Sequence, residues 1–120
     1  MKNFTKIIFV VIATVFLSSC DNDDVNNSFA CDVVNPAENL PWLRTMIESW
    51  EATSTIYTYM YVQQGTYSGN TVFIAANCCP FCDSYFPVFN CAGEELDGIN
   101  IQEITDLKTV WKPLFSQCNL

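Results

Sequence analysis

The side chains best equipped for chemistry are the cysteines, and three of the seven fall within five positions, Cys78-Cys79-Pro80-Phe81-Cys82. Two kinds of chemistry fit that spacing. Cys79-Pro80-Phe81-Cys82 has the two-residue gap of a dithiol that exchanges with a disulfide. The same residues, taken with Cys31, Cys91 and Cys118, suit the staples of a small fold in an oxidising compartment. A thiolate zinc site would draw on the same pool, but such sites usually show two separated pairs and only one C-x-x-C is present.

Other chemistry is narrowed by composition. The chain has no His, which removes Ser-His-Asp and Cys-His catalysis and any His-ligated metal. Five basic residues face 13 acidic ones, a net charge of −8, which argues against a grip on nucleic-acid phosphates. Glu94, Glu95 and Asp97 lack the spacing of a calcium loop and read as a solvated acidic turn. No metal or cofactor is expected. Tyr57, Tyr59 and Tyr61 alternate on one face of an expected strand. They form either an aromatic platform for a glycan or peptide, or a half-buried row with wet hydroxyls.

The first twenty residues set the compartment. Lys2 and Lys6 precede an apolar run from Ile7 to Leu17, which is too short to span a bilayer and suits a signal peptide. The run ends in Leu17-Ser18-Ser19-Cys20, which resembles a bacterial lipobox. That resemblance implies cleavage before Cys20, lipidation of Cys20, and a membrane anchor of more than one acyl chain. Removing residues 1–19 takes two lysines and no acids, so three basic and 13 acidic residues remain and the charge becomes −10. Residues 20–30 then form the lipidated cysteine and a flexible acidic tether. The acids after Cys20 resemble the surface-export signal of Bacteroidota lipoproteins. An envelope location follows, at the outer membrane, with the acidic run read either as a signal for surface display or as a plain solvated linker. Six cysteines remain for residues 31–120, an even number that allows up to three disulfides.

The elements that position these cysteines can be read in order. Asn35 is placed to cap a helical turn with Pro36 at its first position. Pro41 opens a helix running to about Ala52, on which Leu40, Leu43, Met46, Ile47 and Trp50 form one apolar stripe. Thr55 to Gln63 alternates as a strand. Gly65 and Ser68-Gly69-Asn70 turn the chain, and Thr71 to Ala76 returns as its hairpin partner. Ser84 to Asn90 is aromatic and strand-like, with Pro87 confining it to an edge or bulge. Ile101, Ile104 and Leu107 have helical spacing over a short segment. Thr109-Val110-Trp111 is the last strand, closed by Pro113. No strand–helix–strand crossover is present, so the sheet is expected to be antiparallel. The expected fold is α+β, one N-terminal helix packed on a small antiparallel sheet of about four strands. It is a single disulfide-stabilised, two-layer domain over residues 31–120.

Asn35-Pro36-Ala37-Glu38-Asn39-Leu40-Pro41-Trp42-Leu43, the Cys78-Cys79 pair, Cys91-Ala92-Gly93 and Val110-Trp111-Lys112 together resemble a family of small Bacteroidota lipoproteins. The resemblance covers most of residues 31–112. It implies location and architecture but carries no molecular activity. Members often have Asp directly after the paired cysteines, whereas here Pro80-Phe81-Cys82 intervenes before Asp83.

Cys79-Pro80-Phe81-Cys82 after an apolar strand also resembles a glutaredoxin active site, which implies a thiol–disulfide oxidoreductase. That chemistry needs a helix directly after the first cysteine to stabilise its thiolate. Pro87 would break such a helix in its second turn, and the aromatic run that follows favours a strand. The residues therefore favour staples, with redox exchange as the alternative. Cys78 and Cys79 point to opposite faces of a strand and are expected to take different partners. Cys82 and Cys91 would lie about 30 Å apart across an extended segment, beyond the ~7 Å limit for a bridge. Cys31 and Cys118 are expected to tie back to the central knot. The function expected is a non-enzymatic binding or accessory module for a protein, peptide or glycan.

Overall fold

A computed structural model of the chain describes residues 28–82 and 85–120. The stretch read as a signal peptide, Cys20 and most of the stretch read as a tether lie outside the described residues. Among the described residues, no helix is long and apolar enough to cross a membrane.

The described residues have an α+β architecture, with two α-helices, a two-stranded sheet and a four-stranded sheet, all pairing antiparallel. Strands β1 (Phe29–Ala30) and β2 (Val33–Val34) form a minimal hairpin, with Phe29 opposite Val34. Its two central residues, Cys31 and Asp32, both take left-handed backbone angles, φ 54° and 65°. That is the geometry of a tight turn matched to strand twist, here without the usual glycine. Ser28 and Ala30 are buried. The packed region therefore begins inside the stretch read as tether, and the long helix is not the first element.

Asn35 stands at the head of α1 (Pro36–Asn39), as expected, but not as a side-chain cap. Its backbone is left-handed at φ 48°, it makes no capping bond, and its Oδ1 is buried with no partner among the described residues. Pro41 occupies the first turn of α2 (Pro41–Thr53), where its missing N–H leaves no bond unmade. The stripe on α2 is the buried face: Leu43 and Ile47 are buried, and Met46 and Trp50 pack beside them.

Strands β3 (Met60–Tyr67) and β4 (Asn70–Asn77) pair in register from Met60 opposite Asn77 to Tyr67 opposite Asn70. The sheet order is β5-β4-β3-β6, with β5 (Val88–Phe89) and β6 (Thr105–Trp111) at the edges. Pro87 thus leads into an edge strand. Among the described residues of the aromatic segment Ser84 to Asn90, only Val88 and Phe89 join the ladder, and β6 is longer than the three residues expected.

Gly65 was expected to turn the chain, but it lies inside β3. A β-carbon there would sit 2.5 Å from Ile104 Cγ2, so the glycine makes room for a core side chain from across the fold. The segment around Ile101 is a single 3-10 turn, Ile101–Glu103, with Asn100 Oδ1 accepting from the Gln102 N–H at 3.1 Å.

Both faces of β4 are buried, from Val72 to Ala76. On one face Val62, Phe73 and Val110 meet Leu40, Leu43 and Ile47 of the helix side. On the other, Val72, Ile74, Ala76, Val88 and Ile104 form a second core under Phe86, Leu96, Ile99 and Ile101. This second cover, an irregular stretch of chain, was absent from the expected two-layer arrangement. It explains why β4 is apolar at consecutive positions and does not alternate.

Candidate functional site

The cysteine knot follows directly from the end of β4. Cys78 is exposed and Cys79 is buried, as neighbours on an extended chain must face opposite ways. Cys78 is bonded to Cys118, and its N–H donates to the Tyr59 carbonyl at 2.9 Å. The Gln117 N–H donates to the Thr58 carbonyl at 2.8 Å, so the last residues are tied across the start of β3. Cys118 Sγ, which carries no hydrogen as a disulfide sulfur, lies 3.2 Å from the same Tyr59 oxygen.

Cys79 is bonded to Cys82, with Cα atoms 5.3 Å apart. The Asn77 side chain shapes this turn by accepting the Cys79 N–H at 3.2 Å. Cys79 is only 8% exposed, whereas Phe81 at the tip is 75% exposed and makes a T-shaped contact with the Tyr59 ring. Among the described residues no helix begins at Cys79, so no helix N-terminus is aimed at its sulfur.

The third bond, Cys31–Cys91, builds a separate corner. Cys31 was expected to reach the central knot, but it joins Cys91 because the β1–β2 turn and the chain after β5 meet beside Trp42, at the start of α2. Trp42 completes this corner. Its indole N–H donates to the Cys91 carbonyl at 2.9 Å, and its ring lies against Phe73 and Phe89. Asn90 holds the turn beneath it, its Oδ1 accepting the N–H groups of Ala92 and Glu94, each at 3.0 Å. Thus Leu40-Pro41-Trp42 and Cys91-Ala92-Gly93, far apart in sequence, form one structural unit. An Asn three residues before a Gly is a turn signal that could have located Asn90. Nothing local to Trp42 reveals its partner.

Tyr57, Tyr59 and Tyr61 do not form a ladder. Tyr57–Tyr59 is a 3-10 turn, the strand starts only at Met60, and all three tyrosines are half-buried. Tyr61 packs on the second core, while Tyr59 serves the knot. Of the acids weighed as a calcium loop, Glu95 bridges to β5 opposite Phe89 and accepts the Tyr85 hydroxyl hydrogen. That bond is the main cause of a Tyr85 pKa raised above its ordinary 10.0.

One groove was not signalled by the sequence. It has a volume of about 790 Å³ and runs between the helices and the end of β6. Its charged lining consists of Glu38, Glu48, Glu51, Arg44 and Lys112, with Trp111 and Leu114 contributing apolar surface. Arg44 Nε donates to Glu48 Oε1 at 2.8 Å one helical turn away. In comparisons with known proteins, no family, curated protein or solved structure matches the chain.

Proposed function

We propose that the chain is a disulfide-stapled, lipid-anchored lipoprotein of the bacterial envelope, carried at the outer membrane and displayed at the surface. It acts as a non-enzymatic binding or accessory module. One observation carries the reading. The three disulfides Cys31–Cys91, Cys78–Cys118 and Cys79–Cys82 use every cysteine of the described residues. Cys20 is then the odd one out, as a lipidated cysteine should be, and three structural disulfides suit an oxidising compartment. In this reading the anchor reaches the membrane through the tether. α2 and the four-stranded sheet are the scaffold that presents the surface for a protein, peptide or glycan ligand. The small Bacteroidota lipoproteins are its expected kin.

Metabolic labelling with radioactive palmitate tests the anchor. Label should enter the protein, and Cys20→Ala should abolish it and move the protein from the membrane to the soluble fraction. Unlabelled protein that still fractionates with membranes would sink the reading.

The rival, a thiol–disulfide oxidoreductase, draws on the bond between Cys79 and Cys82 themselves. Against it stand the burial of Cys79 and the strand end, not a helix start, that carries it. An insulin-reduction assay decides, since catalysis that disappears in Cys79→Ser would establish the rival.

A further inference from the structure

We infer that the groove beside β6 takes a short, extended, cationic peptide segment, which adds to β6 as a further strand. The inference rests on the binding-module reading and names the partner class for it. Among the described residues β6 ends the sheet and its only ladder partner is β3. Its outward backbone groups therefore have no strand partner among the described residues, and unpaired edge groups are a template for an added strand. At the opposite edge, β5 is two residues long and is already bridged by Glu95.

The groove lies at the end of this edge, lined by Val110 and Trp111 of β6 and by Lys112 just after it, with the helices as its other wall. This is the arrangement in which a peptide gains main-chain bonds from a strand and side-chain contacts from a helix. Leu114, 90% exposed, and the half-buried Trp111 offer apolar contact to alternate side chains of such a segment.

Charge selects the occupant. Arg44 is engaged by Glu48, which leaves Glu38 and Glu51 in the lining against one cation, Lys112. The whole chain carries −8, so a basic segment is attracted and a second copy is repelled. β6 also shifts register twice against β3, between Val62 and Gln63 and between Gln64 and Thr66. Bulges of this kind bend an edge and oppose long, flat pairing with a second copy, while a short segment can still dock.

The test is fluorescence anisotropy with two labelled peptides, an alternating Lys-Val peptide and a Glu-Val peptide of equal length, against the full chain. The Lys-Val peptide should bind and weaken with added salt, and the Glu-Val peptide should not bind. Glu38→Lys with Glu51→Lys should lower the affinity at least about tenfold. Hydrogen exchange of the complex should slow across residues 109–112. The inference is overturned if neither peptide binds, if both bind alike, if the double variant binds undiminished, or if slowing falls elsewhere. A concentration-dependent dimer that protects β6 would also overturn it, with a second copy as the true occupant. Palmitate labelling of Cys20 is independent of all these outcomes, so the groove can fail while the anchored-module reading stands.

Discussion

Gly93 lies directly beneath the indole of Trp42, so closely that a β-carbon on Gly93 would sit 2.6 Å from Trp42 Cγ and 2.7 Å from Cδ2. Its φ of 80° is also one that side chains rarely adopt. The two residues belong to stretches 51 positions apart, and the Cys31–Cys91 bond closes beside them. The contact fixes where the chain after β5 crosses the start of α2. It couples the helix, the small hairpin and the edge of the sheet in one corner.

Gly93→Ala should therefore be among the most damaging small substitutions in the chain. Left-handed strain and overpacking together predict a loss of about 2–4 kcal/mol. Trp42→Phe keeps most of the ring but loses the indole N–H bond to Cys91, for a loss of about 1 kcal/mol. Urea unfolding checks both, as a lower midpoint at unchanged slope. A Gly93→Ala midpoint equal to that of the parent would refute the contact.

This corner also marks the limit of what the sequence makes legible. The α2 stripe, the prolines at both helix starts, the β3–β4 hairpin and the edge position after Pro87 all follow from local rules, and all are present. The β1–β2 hairpin does not, because Cys31 and Asp32 adopt a turn that sequence signals reserve for Gly and Asn. The tyrosine alternation misled because a period of two continued into a 3-10 turn. That turn is set by long-range bonds, from Cys78 to Tyr59 and from Gln117 to Thr58. Gly65 misled because a glycine that turns a chain and one that admits a distant side chain are spelled alike. The groove was invisible for a similar reason, since its walls are assembled from residues 37–51 and 110–114 only by the fold.

The three disulfides should contribute unequally. In the chain-entropy account their worth grows with the loop they close. Cys31–Cys91 spans 60 residues and Cys78–Cys118 spans 40, against 3 for Cys79–Cys82. The expected contributions are about 4 kcal/mol for each long bridge and about 2 kcal/mol for the short one. Paired Cys→Ala variants, compared by urea midpoint, should keep that order. If loss of the Cys79–Cys82 pair proved the most destabilising, the loop-length account would be wrong for this chain and the short bridge would matter more than the Trp42 corner.

Tyr85 should titrate late. Its hydrogen bond to Glu95 favours the protonated phenol, with smaller contributions from desolvation and from the charges of Glu95 and Asp97. The native state therefore holds this proton to higher pH than the unfolded chain does. The associated stability is present below the ordinary value of 10.0 and is lost as pH rises through the raised one. Phenolate absorbance, assigned by difference from Tyr85→Phe, should show a midpoint above 10.0 that moves down toward it in Glu95→Gln. A midpoint unchanged by Glu95→Gln would mean the bond does not form in solution.

Gly65 and Ile104 should behave as a coupled pair. Ile104 fills the space that a side chain at position 65 would need, with Leu107 Cδ2 and the Thr105 carbonyl each 3.0 Å from a β-carbon there. Gly65→Ala alone should cost about 1–3 kcal/mol by overpacking. Ile104→Ala alone should cost about 2–5 kcal/mol by leaving a cavity in the second core. Combined, the new methyl enters the space that the lost side chain vacates, so the double variant should be more stable than the sum of the two losses predicts. A coupling of about 0.5–3 kcal/mol, read from urea midpoints in a double-mutant cycle, is the expected result. Strict additivity would mean that β3 and the Ile104 segment do not meet at this point. The second cover over the sheet would then have to pack elsewhere on β4.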